Sequence, residues 1–380
     1  MVQKDITDLK IGVLGGGQLG RMMIQSAINY NLDISILDPD PNAPCSGLVK
    51  DFRVGKLTDE KMVYEWGKDF DLITIEIENV SVAALKRLES EGVQVFPQPN
   101  IIELIQDKRK QKTFYKAHGI PTADFVLTEN KKDIEKHTAM LPAVNKLGTE
   151  GYDGRGVQVI KTSSDIRLGF DKPGLLEQLV DFEKELSVIV SRNKKGETSS
   201  FPVVELSFHP EQNLVEFLFA PADISKEIES KATDLAIQVI EKLELTGLLA
   251  VEMFLTKGGE ILVNEVAPRT HNSGHQTIEG NLTSQFEQHL RAILNLPQGA
   301  TDSVSPAAMV NLLGEEGYTG DAKYEGLSQC MEMKGVYVHL YGKKKTKPFR
   351  KMGHVTILDP DINSLKTKAR LVKETLKVKA

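Results

Sequence analysis

The feature that most limits what this chain can fold into is the alternation in its N-terminal quarter. An apolar run at residues 11–14 is followed by a glycine turn at 15–20 and a helical stretch at 21–30. A second apolar run at 34–37 is stopped by Asp38 and Pro39. Further strand-like runs at 72–77 and 93–96 flank a helical stretch at 82–91. Short strands that are apolar at nearly every position need cover on both faces, and intervening helices supply it. The pattern predicts a parallel sheet with helices on both sides.

The character changes after a polar helix at 101–118 and a Gly119-Ile120-Pro121 break. Strands at 143–147 and 157–160 flank a loop holding Gly148, Gly151, Gly154 and Gly156. A strand at 174–180 and an alternating run at 185–190 follow, which reads as an antiparallel α+β region. Apolar residues at 232, 235, 236, 239, 240 and 243 keep helical spacing. After residue 300 come strands at 336–340 and 354–358 with a basic run between them, and the Lys-rich tail from Asn363 reads as a solvated helix. With 380 residues and 40% hydrophobic content, two or three domains are affordable. The expected division is 1–110, 111–300 (lobes 119–181 and 182–300) and 301–380.

Composition removes several functions. The net charge of −6 disfavours general attraction to nucleic acid or an anionic membrane. No apolar run approaches the roughly 18–20 residues that cross a bilayer, and the first ten residues lack the apolar core of a secretion signal, so a cytoplasmic location is expected. Cys45 and Cys330 are the only cysteines, too few for a disulfide framework or a thiolate metal site.

Two glycine loops can approach anions. Gly15-Gly16-Gly17-Gln18-Leu19-Gly20 satisfies the dinucleotide fingerprint, and Asp38 ends the next strand where a ribose-binding acid would sit. An NAD-linked dehydrogenase is therefore one reading. Physically the loop says only that amides at a helix start can meet an anionic group. The second loop, 148–156, reads as a phosphate flap, with Lys146 and Arg155 supplying charge, or as an ordinary flexible hairpin tip. The basic run at 343–351 has three readings. It is a solvated surface, a clamp on a small phosphorylated ligand, or a nucleic-acid patch, the last disfavoured by the acidic net charge and a single interleaved aromatic, Phe349.

The densest chemistry lies at 265–277, E-V-A-P-R-T-H-N-S-G-H-Q-T, directly after an apolar run. Strand-like runs at 247–255 and 260–266 meet around Gly258-Gly259. A two-residue turn there would set Glu252 opposite Glu265. Like charges facing each other on a sheet are destabilising unless a cation sits between them, and magnesium suits paired carboxylates that share it with phosphates. Asn264 could add a carbonyl. The alternative is a longer loop, another register and two solvated carboxylates.

Taken in order, these elements resemble the ATP-grasp superfamily and, more narrowly, the N5-carboxyaminoimidazole ribonucleotide synthetases. The resemblance rests on GGGQLGRM (15–22), EIENV (76–80), EGYDGRG (150–156), EQLVDFEKELS (177–187), FPVVE (201–205), LAVEMF (249–254), NEVAPRTHNSGH (264–275), TSQFEQHLRA (283–292) and RKMGHVT (350–356). It implies an α/β and α+β chain: an ATP-grasp fold with an N-terminal Rossmann-like (pre-ATP-grasp) domain and a small C-terminal β-rich domain. It also implies ATP-dependent carboxylation of 5-aminoimidazole ribonucleotide by bicarbonate, with Mg2+, in a homodimer. A formate-using or glycinamide-joining ATP-grasp ligase is the near alternative.

The implied nucleotide contacts are Lys108, Lys146, the loop Glu150, Gly151, Tyr152, Asp153, Gly154, Arg155 and Gly156, the backbone of Glu177, Gln178, Leu179 and Val180, Glu185 at the ribose, His209, Asn264 and Glu265. Glu252 and Glu265 would hold the metal. The ribonucleotide would lie against Gly17, Gln18, Leu19, Glu78, Arg269, His271, Asn272, Ser273, Lys343, Arg350 and Lys351, joined by Tyr152 and Asp153. Arg269, Asp153, Tyr152 and Lys351 are the catalytic candidates, Asp153 as proton acceptor. The chain departs from the family pattern at Lys108 (Arg expected) and Gln276 (Trp expected). The stretch 206–209 is also one residue longer, which leaves the place of His209 open.

Overall fold

Residues 11, 13 and 14 are fully buried because strand Lys10–Leu14 occupies the middle of a parallel sheet. The computed structural model describes residues 4–149, 156–208 and 214–380. The sheet order is Phe52–Val54, Asp33–Asp38, Lys10–Leu14, Leu72–Ile75, Gln94–Phe96, so chain direction across the sheet reverses beside the first strand. Ligands of open α/β sheets lie at the carboxyl ends of strands at such a switch point, and here those ends are Gly15 and Glu76. The strand Phe52–Val54 and the helix Glu60–Gly67 escaped the sequence reading, the strand being too short for a periodic signal. The first helix begins at Gln18, inside the glycine turn.

The polar stretch expected as one helix is two, Pro99–Ile105 and Lys108–Ala117. Asp107 makes the break: its carboxylate caps the second helix by accepting from the Arg109 N–H at 2.9 Å. Lys108 and Lys112 therefore stand one turn apart on the same face of a helix that starts at the site.

Two antiparallel sheets follow. The smaller runs Phe125–Thr128, Gly174–Gln178, Ala143–Leu147, Val157–Ile160. The larger places Ile261–Ala267 at one edge, then Gly247–Thr256, Phe182–Arg192, Val204–Phe208 and Val215–Ala220. It continues without interruption into Ala307–Leu313, Lys351–Leu358 and Val336–Leu340. The C-terminal region thus extends the central sheet. Helix Lys226–Lys242 lies on this sheet with Ala232, Leu235, Ala236, Val239 and Ile240 in its main core. The tail corrects a second expectation: helix Ile362–Thr375 leaves its lysines half-buried and buries Leu365, Ala369 and Val372 among Val355 and Ile357.

The N-terminal sheet and the central sheet share a core through helix Gln285–Ile293. Its Phe286, Leu290 and Ile293 pack with Ile11, Met23 and Ile34, and His289 Nε2 lies 3.0 Å from the Thr74 hydroxyl. Burial of three such side chains stabilises the junction by several kcal/mol, at about 1.5–3 kcal/mol each. The junction holds the switch point against the strand Ile261–Ala267 and the loop after it.

Replacing Asp107 with Ala should remove the helix cap and cost about 1 kcal/mol, read as a lower denaturation midpoint. An unchanged midpoint would show that the break at Asp107 does not depend on its carboxylate.

Candidate functional site

The carboxylate pair is present, but the hairpin reaches it by another route. Residues 257–259 form the turn: the Gly259 N–H donates to the Thr256 carbonyl at 2.9 Å, and the Thr256 N–H donates to the Glu260 carbonyl at 2.9 Å. Gly259 has φ +80°, the left-handed conformation that closes a three-residue hairpin. Leu255, Phe254 and Met253 then face Ile261, Leu262 and Val263, and a regular ladder would set Glu252 opposite Asn264. The register shifts at that point, Asn264 becomes the extra residue of a bulge, and Glu252 faces Glu265. A bulge turns neighbouring side chains towards one face. Accordingly Asn264 Oδ1 accepts from Lys146 Nζ at 3.2 Å while Glu265 pairs with Lys108.

Charge in this cleft is arranged in layers. Burial would push the Glu265 carboxyl up, but Lys108 and Lys146 outweigh it and hold the group at about 2. Burial, followed by the charges of Glu265 and Glu185, pushes Glu252 up to about 7. Burial alone lifts Glu185 to about 7. Glu252 lies opposite Ser187, two residues along the strand from Glu185. One member of the pair is thus a firm carboxylate, and the other ionises fully only when more positive charge arrives. Two facing carboxylates and an amide oxygen fit a hard divalent cation completed by phosphate oxygens. No cluster of three or more His, Cys, Asp or Glu among the described residues forms a cage by itself.

Glu177 is buried and turns its carboxylate into the cleft, 2.6 Å from Lys146 and 2.5 Å from Lys112. Lys112 was missed in the sequence, where the run 101–118 read as one polar surface helix. The Gln178 N–H donates to the Asp124 carbonyl at 2.8 Å and the Leu179 N–H to Pro142 at 3.2 Å, and Leu179 is exposed at the strand end with Val180 beside it. Gly156, at φ +74°, accepts from the Leu147 N–H at 2.9 Å and closes the neck of the second glycine loop. The candidates Glu150, Gly151, Tyr152, Asp153, Gly154, Arg155 and His209 lie outside the described residues.

On the other side of Glu252 is the floor made by residues 269–276. Gln285, fully buried, accepts from the His271 N–H at 2.8 Å and donates to the His271 carbonyl at 2.7 Å, a two-point brace. The His271 ring places Nδ1 3.0 Å from the Ser273 hydroxyl and Nε2 3.8 Å from Glu252. Ser273 also meets the buried Ser187 hydroxyl at 2.8 Å. Burial, then Arg269 and Lys351, lowers the His271 pKa to about 3, so the imidazole is neutral. Asn272 Oδ1 is buried and has no hydrogen-bond partner among the described residues, an acceptor open to a ligand. The His275 ring packs 4.6 Å from that of His354, tilted by 30°, and ties the floor to the C-terminal strands. Gln276 is buried with its Oε1 unpaired, and nothing in the structure explains the amide there.

Arg269 Nε lies 2.9 Å from Glu78, which joins the floor to the switch point. The glycine loop there is already occupied by the protein's own carboxylates. Glu76 Oε1 accepts from the Leu19 N–H at 3.1 Å, and Asp38 accepts from the Gly16 N–H at 2.7 Å. A Cβ on Gly17 would stand 2.4 Å from Glu76 Oε1, so a side chain there would displace that carboxylate. A dinucleotide pyrophosphate would meet like charge at this helix start, which removes the dehydrogenase reading. Gln18 opens the helix beside it. In the segment between strands Val336–Leu340 and Lys351–Leu358, Lys343 donates to the Lys351 carbonyl at 2.7 Å and Arg350 to the Lys345 carbonyl at 2.6 Å. The Lys351 charge acts on both Glu252 and His271.

Comparison with known proteins places this geometry. The sequence matches the ribonucleotide synthetase preATP-grasp domain over residues 9–106 and the ATP-grasp domain over 113–286. Residues 307–368 match the phosphoribosylaminoimidazole carboxylase C-terminal domain. The N5-carboxyaminoimidazole ribonucleotide synthase of Bacillus subtilis is 39% identical over 356 residues, 92% of this chain and 91% of that protein. The crystal structure of N5-carboxyaminoimidazole ribonucleotide synthetase from Thermotoga maritima superposes with a TM-score of 0.91 at 42% identity, covering 98% of this chain and 99% of that one. A synthase from Aspergillus clavatus, solved with ADP and 5-aminoimidazole ribonucleotide, gives a TM-score of 0.89 at 32% identity, over 97% and 99% of the two chains. A two-sided cleft with paired carboxylates and lysines facing a neutral histidine floor, in a chain matched along nearly its whole length, belongs to the N5-carboxyaminoimidazole ribonucleotide synthase family of ATP-grasp enzymes.

Proposed function

We propose that this chain uses ATP and bicarbonate to carboxylate 5-aminoimidazole ribonucleotide on its exocyclic amine, releasing ADP and phosphate, in purine biosynthesis. The observation that carries this reading at the residue level is the Glu252/Glu265 pair, with Lys108 and Lys146 on one side and His271 with Arg269 on the other. Bicarbonate is a poor electrophile. Attack of its oxygen on the γ-phosphorus breaks the bond to ADP and gives carboxyphosphate. The amine then attacks the carboxyl carbon, phosphate leaves, and the amine proton passes to a base, for which Asp153 is the candidate, with Tyr152 beside it in the sequence.

The nucleotide lies between the two antiparallel sheets. Its adenine meets the backbone at Glu177 to Val180, its ribose meets Glu185, and its phosphates meet Lys146 and Lys108. Glu252 and Glu265, with the Asn264 amide oxygen beside them, would hold Mg2+, which would supply positive charge to the phosphates. Arg269 supports the developing carboxyphosphate oxygens. His271, neutral and braced by Gln285, offers a fixed donor or acceptor without adding charge. Lys351, Lys343 and Arg350 supply cations for the ribonucleotide phosphate, opposite Gly17, Gln18 and Leu19. A cytoplasmic homodimer completes the proposal; no described helix is long and apolar enough to cross a membrane.

ADP release should require both bicarbonate and 5-aminoimidazole ribonucleotide; equal release without the ribonucleotide, or its replacement by glycinamide ribonucleotide, would sink this reading. Glu265→Gln should lower ADP formation by about 100-fold or more, the scale of losing a charged contact to the transferring group, while thermal unfolding stays near that of the parent. A variant with parental turnover would take Glu265 out of the metal site. Glu185 supplies a pH signature. Its free pKa of about 7 falls when ribose hydroxyls donate to the carboxylate, because they favour the charged form. Affinity for ADP should therefore rise as pH climbs towards 7 and level off above it, and Glu185→Gln should flatten the profile. The same dependence in the Gln variant would assign the titration elsewhere.

A further inference from the structure

We propose that Lys112 is a positioning residue for nucleotide binding, acting through Glu177 to keep the Lys146 ammonium available to phosphate. The inference rests on the reading that Lys146 meets the nucleotide. Three charged side chains are buried together: Lys112, Glu177 and Lys146 are 2%, 3% and 8% exposed. Glu177 Oε1 takes Lys112 at 2.5 Å and Oε2 takes Lys146 at 2.6 Å, so one carboxylate is shared by two ammonium groups. Lys112 is held from behind by the Thr122 hydroxyl, which itself donates to the Val263 carbonyl at 2.7 Å. Lys146 reaches forward to Asn264 at 3.2 Å.

The arithmetic of charge gives the arrangement its purpose. A buried Lys146–Glu177 pair alone would be neutral, and Lys146 would meet an incoming phosphate with its charge already cancelled. Adding Lys112 leaves the trio at net positive charge, and in a low-dielectric interior that charge is felt strongly at short range. Lys112 and Lys146 take different oxygens of the one Glu177 carboxylate, so the surplus is expressed at Lys146, the member that also reaches Asn264. Lys112 also fixes Glu177, and through it the Lys146 side chain, without touching the nucleotide. Because Lys108 and Lys112 are one turn apart, a single helix sets the charge on both Glu265 and Glu177.

The test is titration of Mg-ADP into the full-length protein, with KM for ATP and for the ribonucleotide measured alongside. Lys112→Met should weaken ADP binding by about tenfold or more and raise the KM for ATP while leaving that for the ribonucleotide unchanged. The double variant Lys112→Met with Glu177→Gln removes one charge of each sign and frees Lys146. It should bind ADP at least about threefold more tightly than Lys112→Met alone, the recovery that a coupled pair shows in a double-mutant cycle. A packing role predicts the opposite, a double variant no better than the single one. Parental affinity in Lys112→Met, or no recovery in the double variant, overturns the proposal. Lys146→Met separates the two levels: unchanged ADP affinity there defeats the reading of Lys146 and this inference with it. Weakened affinity there with Lys112→Met at the parental value defeats this inference alone. Should Lys112→Met not fold, the double variant decides, and a loss as large as that of Lys146→Met counts against the proposal.

Discussion

Two carboxylates facing each other across a β-ladder govern this molecule. Side by side in the cleft, Glu252 and Glu265 repel, and Glu252 is raised to about 7 by burial first and by the charge of Glu265 second. The surrounding structure answers with cations from different parts of the chain: Lys108 from a helix start, Lys146 from the smaller sheet, Lys351 from the C-terminal strands. Each of these elements is where it is because a hydrophobic core holds it. The charges in turn give these elements one focus.

The same constraint explains the irregularities around the site. A uniform hairpin with the observed turn would pair Glu252 with Asn264, leave Glu265 on the other face, and separate the carboxylates. The bulge at Asn264 restores the pair and adds an amide oxygen beside it. Likewise an unbroken helix over 101–118 would not begin at Lys108; the Asp107 cap sets the start, and with it the direction of two lysines. These departures from regular geometry sit at the site itself, where bulges and caps re-aim side chains.

Much of this was legible in the sequence. The alternation in the first quarter set the parallel sheet, and the turn at Gly258-Gly259 pointed to the correct carboxylate pair. It did so through two compensating errors, a turn one residue too short and a bulge not foreseen. A bulge leaves no periodic trace, because the strand remains apolar and polar in alternation on either side of it. Lys112 was hidden for a related reason: a lysine on a polar helix reads as solvated, and only tertiary contact with Glu177 makes it a buried cation. The strands at 204–208, 215–220 and 307–313 were missed, so the continuity of the C-terminal region with the central sheet was not foreseen. Sheet continuity is a long-range property that local patterning does not encode.

The N-terminal glycine loop is likewise shaped by a carboxylate of the chain itself. Its sequence meets every positional requirement of a dinucleotide fingerprint, and it does fold as strand, turn and helix. A glycine at such a turn records only that something must approach the backbone closely, and in this chain that something is Glu76. The carboxylate accepts from the Leu19 amide, and burial, opposed by Arg269, lifts its pKa to about 7. An internal acid at a helix start takes the place that a cofactor phosphate would need. Arg269 acts on this carboxylate and lies 2.9 Å from Glu78, which joins the loop to the floor of the cleft. The fingerprint was therefore a correct statement about backbone approach and a wrong one about the ligand, and the deciding residue lay one strand away.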